Sequence, residues 1–152
     1  MKNYKILFLF LISFHFGISQ NSAEKEVENT IENFFDAFHK QDTVALRKLA
    51  SSEIIMQTIA TSEEGESIVK TQTFNGFLKS IASIPKENSF KEELLGYEIK
   101  IDGSLAHAWT SYKFWYNEKF SHCGANSFQL VKQKGAWKIV YVIDTRRKTD
   151  CK

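Results

Sequence analysis

The chain has one proline and seven glycines in 152 residues. That scarcity excludes a proline-rich spacer, a collagen-like repeat and a low-complexity tail. Cysteine is equally scarce, with only Cys123 and Cys151. This excludes a disulfide-dense miniature domain and a multi-cysteine zinc module. The four histidines stand at no metal-like spacing, so no metal site is expected. No P-loop, GxGxxG, HExxH, CxxC or GxSxG pattern occurs, and no cofactor is expected. Glycosylation sequons of the Asn-x-Ser/Thr type are absent as well. Charge of one sign is also missing: 20 basic residues face 18 acidic ones. Without a basic face, nucleic acid is not an expected partner.

What is present belongs to a globular protein. The chain is 43% hydrophobic and 25% charged, and its length suits one domain. Aromatic residues make up 14%, with thirteen Phe, which favours a large buried face or an apolar pocket. Lys2 and Lys5 precede an apolar run from Ile6 to Phe16, followed by Gly17-Ile-Ser19. This pattern reads as a signal peptide over 1–19 with cleavage after Ser19, leaving a domain over 20–152. The run is short for a transmembrane helix, which needs ~20 residues. A secreted or periplasmic protein is therefore expected, with no membrane contact after cleavage. Loss of the two signal lysines brings the basic residues down to 18, the acidic number. In an exported chain two cysteines invite pairing, so a Cys123–Cys151 disulfide is expected.

Helical periodicity appears first. Asn21 or Ser22 is expected to cap a helix whose stripe is Val27, Ile31, Phe34, Phe35 and Phe38. Asp42 or Thr43 caps a second helix, 44–50, with Val44, Leu46 and Leu49 inward. A strand over 53–61, a turn at Ser62–Gly65 and a short strand over 66–71 follow. Thr73 caps a third helix, 74–84, ended by Pro85. Phe90–Ile101 reads as one long strand, and Asp102-Gly103 as a hairpin turn. Three aromatic and β-branched runs close the chain, 105–116, 121–132 and 136–147, joined by turns at Glu118-Lys119 and Lys134-Gly135. Helices that lead and strands that follow make an α+β fold, a curved antiparallel sheet with three helices on its concave face.

This order resembles the nuclear transport factor 2-like superfamily, the cone shared by ketosteroid isomerases and polyketide cyclases (SnoaL-like proteins). The resemblance lies in Phe34-Phe-Asp-Ala-Phe38, Gln41-Asp-Thr-Val-Ala-Leu46 and Gly135-Ala-Trp-Lys-Ile-Val140, and it spans 22–148. It implies a cone with an open end, and a homodimer, which is common in the superfamily. It does not imply one activity, because the superfamily mixes enzymes, binding proteins and dimerisation modules. An isomerase-like site would want a Tyr on the first helix, where this chain has Phe34, Phe35 and Phe38. A dehydratase-like site would want two His and an Asp.

The two hairpin turns set a trial register. It places Phe128 opposite Tyr141, Asn126 opposite Ile143, Cys123 opposite Arg146, Trp109 opposite Phe128, and Trp115 opposite His122. One face then carries Trp109, Ser111, Trp115, His122, Asn126, Phe128 and Tyr141, the expected ligand-binding set in an apolar pocket. The other face carries Tyr112, Phe114, Cys123, Ser127, Val140, Val142, Asp144 and Arg146, and suits a dimer interface. A single bulge would invert part of this assignment. His107, His122 and Asp144 are the candidate acid–base residues. Asp144 with Arg146 and Arg147 could instead take a carboxylate or phosphate. Three functions stay open at this point. The first is non-catalytic binding of a small, partly apolar ligand. The second is an isomerase, dehydratase or cyclase. The third is a dimerisation or partner-binding module with a filled cone.

Overall fold

A computed structural model describes residues 16–151. Helix α1, Phe16–His39, buries Val27, Ile31, Phe34 and Phe35, the stripe expected from the 3.6-residue period. It does not begin at Asn21 or Ser22. No proline interrupts the chain before them, so they sit inside a continuous helix. Residues 1–15 of the expected signal segment lie outside the described residues, and 16–19 belong to α1.

Helix α2, Thr43–Leu49, is capped by Asp42, whose carboxylate accepts from the backbone N–H groups of Val44 and Ala45. Leu46 is fully buried, but Val44, expected inward, is exposed, because it stands beside the cap on the helix's outer side. Strand β1, Ala50–Thr61, and strand β2, Ser67–Gln72, form a hairpin around Ser62–Gly65, with Gly65 at φ 85°. Helix α3, Phe74–Ala82, is capped by Thr73, whose hydroxyl oxygen accepts from the Gly76 backbone N–H.

The expected single strand over 90–101 is two strands. β3 is Phe90–Leu94 and β4 is Glu98–Asp102, both paired with β5, Leu105–Tyr116. Leu94 faces Tyr112 and Glu98 faces Trp109, so three residues around Gly96 stand against two on β5. β6, Lys119–Gln133, and β7, Ala136–Thr145, complete the chain. The sheet order is β2-β1-β7-β6-β5-β3, with β4 beside β5. The sheet is mixed rather than wholly antiparallel, because β1 runs parallel to β7. Three helices on this curled sheet make the expected α+β cone.

Three local features reset the register. The β5–β6 turn is Asn117-Glu118, both at positive φ, not Glu118-Lys119. Asn tolerates the left-handed region that such a two-residue turn requires. Moving the turn by one residue changes the pairing by two and keeps the faces. The extra residue Ser121, bulged between the Phe114–His122 and Trp115–Phe120 pairs, turns the rest of β5 over relative to β6. Phe128 therefore faces Ala108 rather than Trp109, and Asn126 faces Thr110. The β6–β7 hairpin keeps the expected register from Gln133–Ala136 to Leu130–Ile139, then shifts at Val140. Beyond this bulge Phe128 faces Val142, and Asn126 faces Asp144. The bulge lets Trp137, Ile139 and Val142 all face inward, and each is buried.

Candidate functional site in the cone

The corrected register arranges the inner face in rows across the strands. One row runs Gln72, Met56, Val142, Phe128, Ala108. It is apolar except at its β2 edge. The next row toward the open end runs Lys70, Thr58, Asp144, Asn126, Thr110. It is polar throughout. From the helix side, Phe34 and Phe35 pack on Phe128 at ring distances of 6.3 and 6.0 Å, and Phe77 stacks on Phe34 and Phe38. Helices and sheet leave a cavity of 330 Å³ between the aromatic wall and the polar row. Glu92 from β3 and Arg146 just after β7 complete its lining.

The polar groups are tied to one another. Asn126, 5% exposed, donates from Nδ2 to Glu92 Oε1 at 2.7 Å and toward Thr110 Oγ1 at 3.4 Å. Burial pushes the Glu92 carboxyl up to about 7, against the Asn126 hydrogen bond, and the nearby Asp144 charge adds to the rise. Arg146 Nε donates to Asp144 Oδ2 at 2.9 Å. The Tyr112 hydroxyl donates to the Thr145 carbonyl at 2.9 Å and lies 3.3 Å from Asp144 Oδ2. Burial, then the Asp144 and Glu92 charges, raise the Tyr112 phenol, so it stays protonated. Tyr112 can reach β7 because Gly124 lies beneath its ring. A Cβ there would stand 1.8 Å from the Thr145 carbonyl oxygen and 2.8 Å from the Tyr112 ring.

Of the residues named from sequence, Asn126 and Phe128 line this cavity, and the bulge brings Asp144 to the same face. His122 shares that face but stacks on Phe114 at 4.9 Å, outside the cavity lining. Burial, reinforced by Arg146, lowers its pKa and keeps the ring neutral. Trp109, Ser111, Trp115 and Tyr141 do not line the cavity. The bulges at Ser121 and Val140 place them on the outer face. Trp109 is 41% exposed, Trp115 Nε1 donates to Glu93, and the Tyr141 hydroxyl donates to Gln57. His107 is also outward, 3.2 Å from Ser127 Oγ. His107 and His122 thus lie on opposite faces and cannot act on one substrate. Of the residues assigned to an interface face, Tyr112, Phe114, Val142 and Asp144 point inward instead.

The sequence reading missed Lys70 and Thr58 of the polar row, and it missed Glu92. Its signal was alternation: Phe90, Glu92 and Leu94 share one face of β3, a carboxyl between two apolar neighbours. Cys123 and Cys151 are joined, with Cα atoms 5.7 Å apart. Cys123 pairs with Arg147 rather than Arg146, the same one-residue shift. Among the described residues no cluster of ligating side chains suits a metal, and no helix is long and apolar enough to cross a membrane.

No protein-family model and no curated protein matches the chain. Solved structures do. A nuclear transport factor 2-like protein of unknown function from Shewanella baltica is 15% identical over 85% of this chain and 97% of its own, with a TM-score of 0.61. A protein of that type with a cystatin-like fold, from Novosphingobium aromaticivorans, is 12% identical over 87% and 86%, with a TM-score of 0.67. A third, from Streptomyces avermitilis and provisionally described as a dehydratase of the family, is 11% identical over 84% and 98%, with a TM-score of 0.64. The chain therefore has the nuclear transport factor 2-like fold.

Proposed function

We propose that this chain is an exported protein that binds a small, partly apolar molecule in the cone. The observation that carries this reading is the cavity itself: an aromatic body closed on one side by a single polar row. That division is the usual form of a small-molecule site, where apolar contact supplies affinity and a few polar groups set orientation. Export rests on the charged and apolar N-terminal pattern, and the disulfide is compatible with an oxidising compartment. Protein purified from its native host should release a small molecule on denaturation, detected by mass spectrometry. Asn126→Leu removes the donor to Glu92 and Thr110 and should abolish that retention while leaving the circular dichroism spectrum unchanged. Retention equal to wild type would refute the site. N-terminal sequencing of the mature protein should begin at Gln20 or within a few residues, and an intact Met1 in the extracellular fraction would refute export.

One observation favours a second reading. Glu92 presents a carboxyl poised near neutral pH on the cavity wall, and a general acid or base works best there. On this reading Glu92 moves a proton on the bound molecule, while Asn126 orients the Glu92 carboxyl. The candidate reactions are those of isomerases, dehydratases and cyclases. The His107–His122–Asp144 set has no part in it, since its two histidines are on opposite faces. Glu92→Gln separates the readings: a binding protein keeps its ligand, and an enzyme keeps binding but loses turnover.

A further inference from the structure

We propose that the molecule held in the cone bears one carboxylate, seated at the open end between Arg146 and Lys70. This rests on the reading of the cone as a ligand site and goes beyond it by naming the ligand's charge. Three features of the polar row support it.

The first is a guanidinium held in place. Asp144 Oδ2 accepts from Arg146 Nε, so the acid is occupied with orienting the Arg rather than awaiting a ligand. The two Nη nitrogens of Arg146 make no hydrogen bond with any described residue. They form the fork that matches the two oxygens of a carboxylate. Arg147 does not join them, because its Nε is directed to the Asp150 carbonyl in the tail.

The second is Lys70. It lies two strands from Asp144, across Thr58, and lines the same cavity. Two strand spacings amount to roughly 10 Å, a gap that a Lys and an Arg side chain can close onto one small anion. Between them Thr58 Oγ1 is buried and has no hydrogen-bond partner. That hydroxyl presents no surface to the cavity, so the Lys and the Arg alone would hold the anion.

The third is the balance of charge. Asp144 is matched by Arg146. Lys70 forms no ion pair with a described residue, and burial favours the neutral Glu92 carboxyl. The wall therefore carries surplus positive charge, which one ligand anion removes. The aromatic rings and Glu92 would alternatively suit an ammonium group. Against that, Glu92 Oε1 already accepts from Asn126. The cavity, 330 Å³, is at the small end of the ~300–1,000 Å³ range of ligand sites. It suits a body of one ring or a short branched chain.

The test is an NMR titration of the mature protein with hydrocinnamate, its primary amide and phenylpropylamine. The acid should bind about tenfold more tightly than the amide, with shifts at Phe34, Asn126 and Val142. Arg146→Gln and Lys70→Gln should each bring the acid toward the amide's affinity and leave the amide unchanged. Arg146→Lys should fall between. Acid and amide binding equally would overturn the proposal and leave the cone a ligand site. Preference for the amine would overturn it in favour of a cation held by Glu92. No shift in the cavity with any of the three would overturn both the proposal and the reading on which it rests.

Discussion

A carboxyl set between Phe90 and Leu94 on the inner face of β3 must be either ionised and poorly hydrated or neutral. Glu92 is pulled toward the neutral state, with a folded pKa of about 7 against the ordinary 4.5. Folding then favours the protonated form. The contribution of Glu92 to stability is complete below about pH 4.5 and is lost as the pH rises through 7. His39 works with the opposite sign. Its Nε2 accepts the backbone N–H of Glu92 at 2.8 Å, which only the neutral ring can do, and burial lowers its pKa from 6.5. Its contribution is present above pH 6.5 and is lost as the pH falls below that value. Comparing Glu92→Gln with wild type cancels the His39 effect. The Gln carbonyl can still accept from Asn126 but cannot ionise. The variant should be more stable by about 1–3 kcal/mol at pH 8 and nearly equal at pH 4, measured by urea denaturation at both. A variant equal to wild type at pH 8 would show that the carboxyl is not held neutral.

At the scale of elements, much was legible because local chemistry decided it. The α1 stripe, the Asp42 and Thr73 caps and the Ser62–Gly65 turn all appear where residue type and period place them. Pairing registers were not legible to the same degree. A turn moved by one residue at Asn117, and one extra residue each at Ser121 and Val140, changed which side chains meet while leaving each strand in place. Alternation alone cannot register an added residue, so the candidate site was assembled from the wrong half of β5. The burial of Trp137, Ile139 and Val142 together is the one local clue, since two odd positions and one even cannot share a face without a bulge. The C-terminal tail escaped this difficulty. Whether Cys123 pairs with Arg146 or Arg147, Cys151 lies within reach. Beyond Thr145 the tail is held by the Cys123–Arg147 backbone pair, the Arg147–Asp150 contact and the disulfide. Closing a loop with 28 residues of sequence separation removes unfolded-chain entropy equivalent to about 3–4 kcal/mol. Thiol titration of the unfolded, unreduced protein should find no reactive thiol, and two after reduction. Cys151→Ser should lower stability by about that 3–4 kcal/mol and free the residues after Arg147 to exchange amide hydrogens rapidly. Two reactive thiols before reduction would refute the bridge.

For the whole molecule, the helices pack on the inner face and the outer face of the sheet remains uncovered. There a row runs Trp109, Ser127, Ile143, Gln57, and the next runs His107, Gln129, Tyr141, Ile55. Trp109 is 41% exposed, Ile55 49% and Leu105 49%. Scattered apolar residues on a surface need no explanation, but these share one sheet face that crosses four strands. Aromatic residues at the centre of such a face with polar neighbours form the usual core and rim of a protein interface. We propose a second copy of the chain as its occupant, because a two-fold axis through the face would set each Trp109 against the partner's matching surface. This is the opposite set of β5 residues from the one that alternation first assigned to an interface, for the same reason that the cavity lining changed. The expected outcome is a dimer in sedimentation velocity. Trp109→Glu should convert it to monomer, because a carboxylate at the centre of the contact must be dehydrated without a partner. Trp109 does not touch the cavity, so the variant should keep its fold and any ligand bound in the cone. A wild-type protein that sediments as a monomer would overturn the dimer, and a Trp109→Glu variant that remains a dimer would place the interface elsewhere.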